Sequence, residues 1–550
     1  MITVKLLEKV GSFEPYVTVR KVIDALAPEE AATALGCLCG GKVLELNEKI
    51  EESCRLRPIT FQDEEGRRIN ERSLRFVMLL AVRRALPGLH VRIEHSIGSG
   101  IYVRLLEQEM DEGMVARVEA EMHRIVAEDL PFLRERWSRK QAIAYFSREG
   151  DEDKARLLAY RPYDYFDVYH CGEMSEYFYG AMLPSTGCVK AFRLLYHAPG
   201  MVVQMPDLEN PDQPAPYHPM PKHLAVFSES NRWCDILGCM NAADLNDMTV
   251  QGKLPEFIRI NEALHDQSIA AIAHGIAQKG SRAVFVAGPS SSGKTTFSHR
   301  LCIHLQVLGL RPVLISLDDF YRNRDELPLE EDGLPDLEAL SALDVPLLRQ
   351  CLSDLLEGRE AMMPRFDFTV KKRFPQGYPL KLEKENILVM EGIHGLNPAL
   401  HEGFDPLLIS KVYISELTCL NLDHHNRIRT TDARLLRRIV RDHHFRNTPP
   451  EETLAMWQSV RRGEKNWIFP YQEEADFLFN SALHYELPVL KREAYDLLLT
   501  IPDTNPVYLA SRRLVKILHY ILPATDEALR EIPPLSLLRE FVGGCTLYNE

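Results

Sequence analysis

The residues best suited to chemistry lie in one loop, Gly288-Pro-Ser-Ser-Ser-Gly293-Lys294-Thr295, which satisfies the pattern G-x-x-x-x-G-K-[ST]. An apolar run, Ala283-Val-Phe-Val-Ala287, precedes it and a helical pattern follows, the strand-loop-helix setting that this pattern requires. Glycine at positions 288 and 293 lets backbone N–H groups turn inward around phosphates, and the helix start adds roughly half a positive charge facing them. Ser290, Ser291 and Ser292 complete the cradle. Lys294 is expected on the β- and γ-phosphates, Thr295 on Mg²⁺, and Thr296 at the helix start or the α-phosphate. The implied ligands are ATP and Mg²⁺.

Phosphoryl transfer also needs a group that takes the acceptor's proton. A second apolar run ends in Ser316-Leu-Asp318-Asp319-Phe-Tyr321, at the carboxyl edge where open α/β sheets place ligands, so Asp318 is the expected base. A third, Asn386-Ile-Leu-Val-Met390, ends in Glu391-Gly-Ile-His394: Glu391 is expected to hold Mg²⁺ together with Thr295 and Asp318, and His394 to face the substrate. Farther on, Arg434, Arg437, Arg438 and Arg441 fall at i, i+3, i+4 and i+7 and share one helix face. Such a face neutralises a triphosphate or, taken by itself, is a solvated basic surface.

Several elements must position these residues. Short, continuously apolar strands alternating with helices from residue 282 onward predict a parallel sheet covered on both faces. Ahead of it, residues 1–62 read as a small α+β module whose helix runs from Pro28 to Leu35. A second α+β domain follows over 63–225, with a buried helix at 70–82 and an amphipathic one at 111–129. The Pro-rich stretch 205–222 marks a boundary, 226–280 is a helical connector, 281–500 the phosphate-binding domain and 501–550 its C-terminal extension.

Composition narrows the classes. The 550 residues are 45% hydrophobic, with a net charge of −14, which disfavours bulk nucleic-acid binding. No run approaches the roughly 18 apolar residues of a membrane span, and the start carries no signal-peptide pattern, so a cytoplasmic protein with no membrane contact is expected. The 11 cysteines are read as reduced thiols; neither Cys37-Leu-Cys39 nor Cys234…Cys239 has the spacing of a zinc module.

In their order, Gly288–Thr296, Ser316–Tyr321, Pro364-Arg-Phe-Asp-Phe368, Glu391-Gly-Ile and Asp432–Asp442 resemble the uridine kinase and phosphoribulokinase group of P-loop kinases. The resemblance implies that Asp318 and Lys294 act in catalysis with Arg437 and Arg441, that Arg434 and Arg438 bind ATP, and that Tyr321, Asp336, Phe366 and Arg373 line the acceptor pocket. Uridine kinases usually carry Tyr where Phe366 stands and a His shortly after it, where this chain has Val370-Lys371-Lys372-Arg373.

The first 200 residues resemble the amino-terminal half of threonyl-tRNA synthetase, 1–62 its TGS module and 63–225 its second additional, editing domain. Arg72, Phe76, Phe178 and Met182 stand where that domain has its editing residues, so hydrolytic editing is not expected. The expected fold is therefore α/β: a P-loop kinase with a parallel sheet behind two small α+β domains. The expected function is transfer of the ATP γ-phosphate to a nucleoside 5′-hydroxyl. The alternatives are a nucleotide-gated regulator touching RNA or the ribosome through the front half, and a kinase for another hydroxyl compound, which the basic residues 371–373 would suit. Homo-oligomerisation stays open.

Overall fold

The computed structural model describes residues 1–327, 336, 338–367, 370 and 372–548. Phe368, from the quoted acceptor motif, and Lys371, from the expected basic stretch, lie outside them.

The amino-terminal module is a five-stranded sheet, in the order Lys9–Phe13, Ile2–Leu6, Cys54–Ile59, Gly36–Cys39, Lys42–Leu44. Its helix is Val19–Leu26, whereas the alanine-rich stretch after Pro28 forms only a 3-10 turn, Pro28–Glu30. The expected helix at 28–35 is thus corrected. Thr18 caps the true helix by accepting from the Lys21 N–H, and Val19, Val22 and Ile23 give it an apolar face to bury. The alanine-rich stretch lacks both.

Next comes the long helix Glu64–Ala85, with Glu64 and Glu65 in its first turn and Arg83 and Arg84 in its last, a charge order that complements the helix dipole. It is buried along most of its length between a four-stranded antiparallel sheet (Arg193–His197, Gly200–Gln204, Gly100–Leu105, Val91–Ile97) and a smaller three-stranded one. Asp111 caps the helix Glu112–Glu128 and Asp129 ends it in the left-handed conformation, within a residue of the expected bounds.

The C-terminal sheet is wholly parallel, in the order Arg311–Ser316, Asn386–Glu391, Ala283–Ala287, Ile409–Ser415, Phe477–Asn480. Helices Leu254–Lys279 and Lys294–Val307 pack on one face through Ile269, Ile276, Phe297 and Leu301, and Val345–Leu356 covers the other through Leu348 and Leu352. Each such fully buried side chain contributes about 1.5–3 kcal/mol.

The two halves share a core. Phe146, Leu157, Leu158 and Phe166 from the front join Leu435, Ile439, Leu490 and Leu514 from the back in one apolar cluster. A hairpin of the C-terminal half, Asn421–Asp423 with Asn426–Arg427, lies against the front: the Asn421 amide donates to the Ile93 carbonyl at 2.6 Å and the Tyr177 hydroxyl to Asp423 at 2.8 Å. Beside it, the buried Lys154 ammonium sits 2.6 and 2.7 Å from the two Glu176 oxygens and 3.0 Å from His425 Nδ1. Asp151, Glu176 and His425 form the one metal-like grouping among the described residues, and this ammonium already supplies their positive charge. The cysteines are all unpaired, and among the described residues no helix is long and apolar enough to cross a membrane.

A fragment ending at residue 225 would expose Phe146, Leu157, Leu158 and Phe166. We expect it to bind a hydrophobic dye and to lack a cooperative melt, whereas the intact chain loses front and back structure in one transition by circular dichroism. A cooperatively melting, dye-silent fragment would contradict the shared core.

Candidate functional site

The central strand Ala283–Ala287 is buried at every residue and delivers the chain into the loop 288–293. Glycine is required at both ends of that loop. A Cβ at Gly288 would lie 2.0 Å from the Ile414 carbonyl oxygen, and Gly293 has φ of +87° with the Leu537 side chain 2.6 Å from where its Cβ would be. Gly293 offers no side-chain cap to the helix Lys294–Val307, which leaves its first N–H groups and positive dipole end facing the loop. The Ser291 and Ser292 hydroxyls are buried with no hydrogen-bond partner. Such burial costs about 1–3 kcal/mol per group, a cost that a phosphate oxygen would remove. The Lys294 ammonium donates to the Pro289 carbonyl at 3.2 Å, folded back over the loop.

Three carboxylates meet this cradle. The register pairs Ser316 with Glu391 and Glu391 with Val286, so the strand ends carrying Asp318 and Glu391 flank the loop strand at one level. Asp318 follows on a short 3-10 turn, its N–H donating to Ser316 Oγ at 3.2 Å. Burial raises its carboxyl, with Asp319 adding to the shift and Lys294 and Arg446 opposing it. Burial, then repulsion from Asp318, raises Glu391 to about 7 against the pull of Lys294. Its Oε1 lies 3.5 Å from Thr295 Oγ1. Two mutually repelling, half-buried carboxyls and a hydroxyl offer only oxygen donors, which fits a hard cation such as Mg²⁺. Glu338, which the sequence did not single out, is also raised to about 7 by burial.

The arginine face divides. Arg434 and Arg437 are 1% and 0% exposed and point into the core from the helix Thr430–Arg446. Arg434 pairs with Glu464 and donates to the Ser290 carbonyl at 2.9 Å; Arg437 pairs with Glu486 and reaches the Ser291 carbonyl at 3.4 Å. These two hold the loop's backbone, which corrects the expectation of a single stripe free to face phosphates. Arg438 donates to Ser290 Oγ at 2.8 Å, and Asp442 gathers Arg438, Arg441 and Arg446 within 3.1–3.3 Å. Three cations on one carboxylate leave net positive charge beside the loop.

In the expected acceptor region, the Tyr321 and Phe366 rings meet edge to face at 6.0 Å, and the Phe366 N–H donates to Asp319 at 3.1 Å. Asp318, Asp336 and Glu338 all act on the Tyr321 phenol. One expected substrate contact is engaged elsewhere, and the other, His394, is buried. The Arg373 guanidinium donates to Asp344 at 3.2 Å and to the Phe320 and Tyr321 carbonyls at 3.0 and 3.1 Å, so it holds the loop that carries Tyr321. His394 is buried near Trp467, and burial pushes it to about 4, which keeps it neutral.

The sequence reading also missed Glu540 and Tyr548. Thr296 gives its hydroxyl to Glu540 at 2.9 Å, with Tyr548 equally close, and its N–H to Glu540 at 3.4 Å. Its expected α-phosphate contact therefore competes with the C-terminal segment. Only the apolar-polar pattern of Ser536–Phe541 hinted at a packed tail, and no local signal tied it to the loop.

Residues 283–487 match the model of the Phosphoribulokinase / Uridine kinase family. The N-terminal region is similar to the threonine--tRNA ligases of Symbiobacterium thermophilum (31% identity over 190 residues, 34% of this chain and 29% of that protein) and Carboxydothermus hydrogenoformans (35% over 189 residues, 34% and 30%). The chain thus spans under a third of the length of those relatives. Among solved structures, a possible uridine kinase from Bacillus stearothermophilus aligns at 17% identity over 36% of this chain and 89% of that one, with a TM-score of 0.25. The C-terminal region thus matches that family model, and the front region is similar to threonine--tRNA ligases.

Removing Glu464 would strand the Arg434 guanidinium in the core. Glu464→Ala is expected to cost about 3–5 kcal/mol of stability, and replacing both partners by apolar residues of similar volume to recover most of it. Denaturant unfolding measures both; a loss well under 1 kcal/mol in the single variant would sink the claim that this pair holds the loop.

Proposed function

We propose that the protein transfers the γ-phosphate of ATP to the 5′-hydroxyl of a nucleoside. The observation that carries this reading is the convergence of Asp318, Lys294 and Glu391 at one sheet edge, beside the Tyr321–Phe366 pair. A site built only to hold a nucleotide has no need of a second half-buried carboxylate beside an aromatic acceptor wall.

The loop N–H groups, the helix end and Lys294 hold the triphosphate, and Arg438 and Arg441 supply charge against the oxygens that gain it during transfer. Asp318 accepts the proton of the attacking hydroxyl; its raised carboxyl brings its basicity closer to that demand. Thr295, Glu391 and Asp318 would hold Mg²⁺, which when bound neutralises the β- and γ-oxygens. Tyr321 and Phe366 offer the flat apolar surface on which a base or sugar rests. Because the Arg373 guanidinium already donates to Asp344 and to the Phe320 and Tyr321 carbonyls, an uncharged acceptor is favoured over a sugar phosphate. The front half favours no nucleic-acid role by its pocket: Phe76 and Phe178 pack edge to face at 6.1 Å, and Arg72 pairs with Glu65.

With purified protein, Mg²⁺, ATP and a nucleoside panel, one nucleoside should accelerate ADP release, and Asp318→Asn should lower kcat by about 10²–10⁴-fold. Nucleoside-independent ADP release that survives Asp318→Asn would falsify this reading. A second expectation concerns pH. Glu391 binds a cation only when deprotonated, so Mg²⁺ affinity should plateau at high pH and weaken by up to about tenfold per unit as pH falls through about 7. Titrating Mg²⁺ at several pH values checks this, and Glu391→Gln should flatten the dependence; an unchanged slope in that variant would remove Glu391 from the cation's ligands.

A further inference from the structure

A cavity of about 490 Å³ opens between the front half and the helix Tyr508–Leu518, and no phosphate-loop residue lines it. Its volume falls in the range of roughly 300–1,000 Å³ typical of small-molecule sites. Seven lysine or arginine side chains line it against three carboxylates, in a chain whose net charge is −14. Two of those carboxylates are already paired, Glu65 with Arg72 and Asp167 with Arg134, each at 2.7 Å, while Arg513 pairs with Asp432 outside the cavity at 3.0 Å. Arg512 and Lys516 have no carboxylate partner among the described residues.

These two stand one turn apart on one helix face, where like charges repel. Burial depresses the Lys516 ammonium, and Arg72, Arg512 and Arg134 push it the same way against the pull of Glu65. Lys516 is nevertheless open to solvent, as a side chain extending into a concave space is. A fold that accumulates unpaired cations around one cavity, at a cost in self-repulsion, has a place for an anion.

The rest of the wall is aromatic. Tyr179 and Tyr520 meet edge to face at 5.0 Å, Arg161 lies 4.4 Å over Phe166 and 5.6 Å over Tyr520, and Arg512 lies over Tyr508 at 5.9 Å. Phe166 and Tyr520 are buried behind the wall, while Tyr179 and Tyr508 are partly exposed, and such rings receive a planar base by stacking, with little dependence on its identity.

The geometry points to a second ligand site, for a phosphorylated aromatic compound of the nucleotide class, with Arg512 and Lys516 receiving the phosphate and the tyrosine wall the base. It does not depend on the acceptor assigned to the phosphate loop. The test is equilibrium dialysis of the full chain against radiolabelled AMP, with the phosphate loop kept filled by a non-hydrolysable ATP analogue. AMP should bind, adenosine and inorganic phosphate at least about tenfold more weakly, and Arg512→Ala with Lys516→Ala should lose at least that factor while affinity for the ATP analogue stays unchanged. Lys516→Arg should retain binding, and Lys516→Gln alone should weaken it, so the result does not hang on one variant's folding. AMP binding that is absent at millimolar concentration or untouched by these substitutions overturns the site, as does phosphate binding as tightly as AMP. A short RNA ending in adenosine that binds more tightly than AMP overturns its assignment to a free nucleotide.

Discussion

Two guanidiniums taken out of water set the shape of the phosphate loop. Arg434 and Arg437 reach its carbonyls from inside the core, and neither could stay there without Glu464 and Glu486. Desolvating a charge costs several kcal/mol, and beyond its carboxylate each guanidinium recovers part of that cost by donating to a loop carbonyl, of Ser290 or Ser291. The loop is therefore held from behind by fixed charges, with the Ser290 N–H also drawn to Glu464 at 3.2 Å. A nucleotide would meet a cradle already organised, with Arg438 and Arg441 left on the outer side.

The same balance between burial and charge explains the carboxyl edge. Asp318, Glu391 and Glu338 are placed where burial works against their ionisation, and only Lys294 and the arginine helix oppose it. Such a cluster is poor for stability and makes sense for phosphate chemistry, where the charges being handled change during the reaction.

Much of this was legible in the sequence because the signals are local. The loop pattern, the apolar strands and the acidic residues at their ends all follow from spacing within a few residues. The division of the arginine face was not legible, since the spacing that puts Arg434, Arg437, Arg438 and Arg441 together says nothing of Glu464 and Glu486, which arrive 30 and 49 residues later in the chain. The bonds of Arg373 were not legible for the same reason: a side chain of the right type stood near the pocket, but its partners, Asp344 and the Phe320 and Tyr321 carbonyls, are set by tertiary packing. Helix propensity misled at Pro28–Leu35, where only Ala34 and Leu35 at the far end are buried and no side chain caps the start, while the weaker formers Val19, Val22 and Ile23 won through their contacts.

The core shared by front and back has a thermodynamic meaning. If Phe146 and Leu158 unfold together with Leu435 and Ile439, then a ligand that binds either half stabilises both, by about 2.7 kcal/mol at a hundredfold excess over its Kd. No hinge or moving helix is needed for that. The occupancy of one half would be written into the lifetime of the whole chain, and thus into how much of the protein a cell keeps.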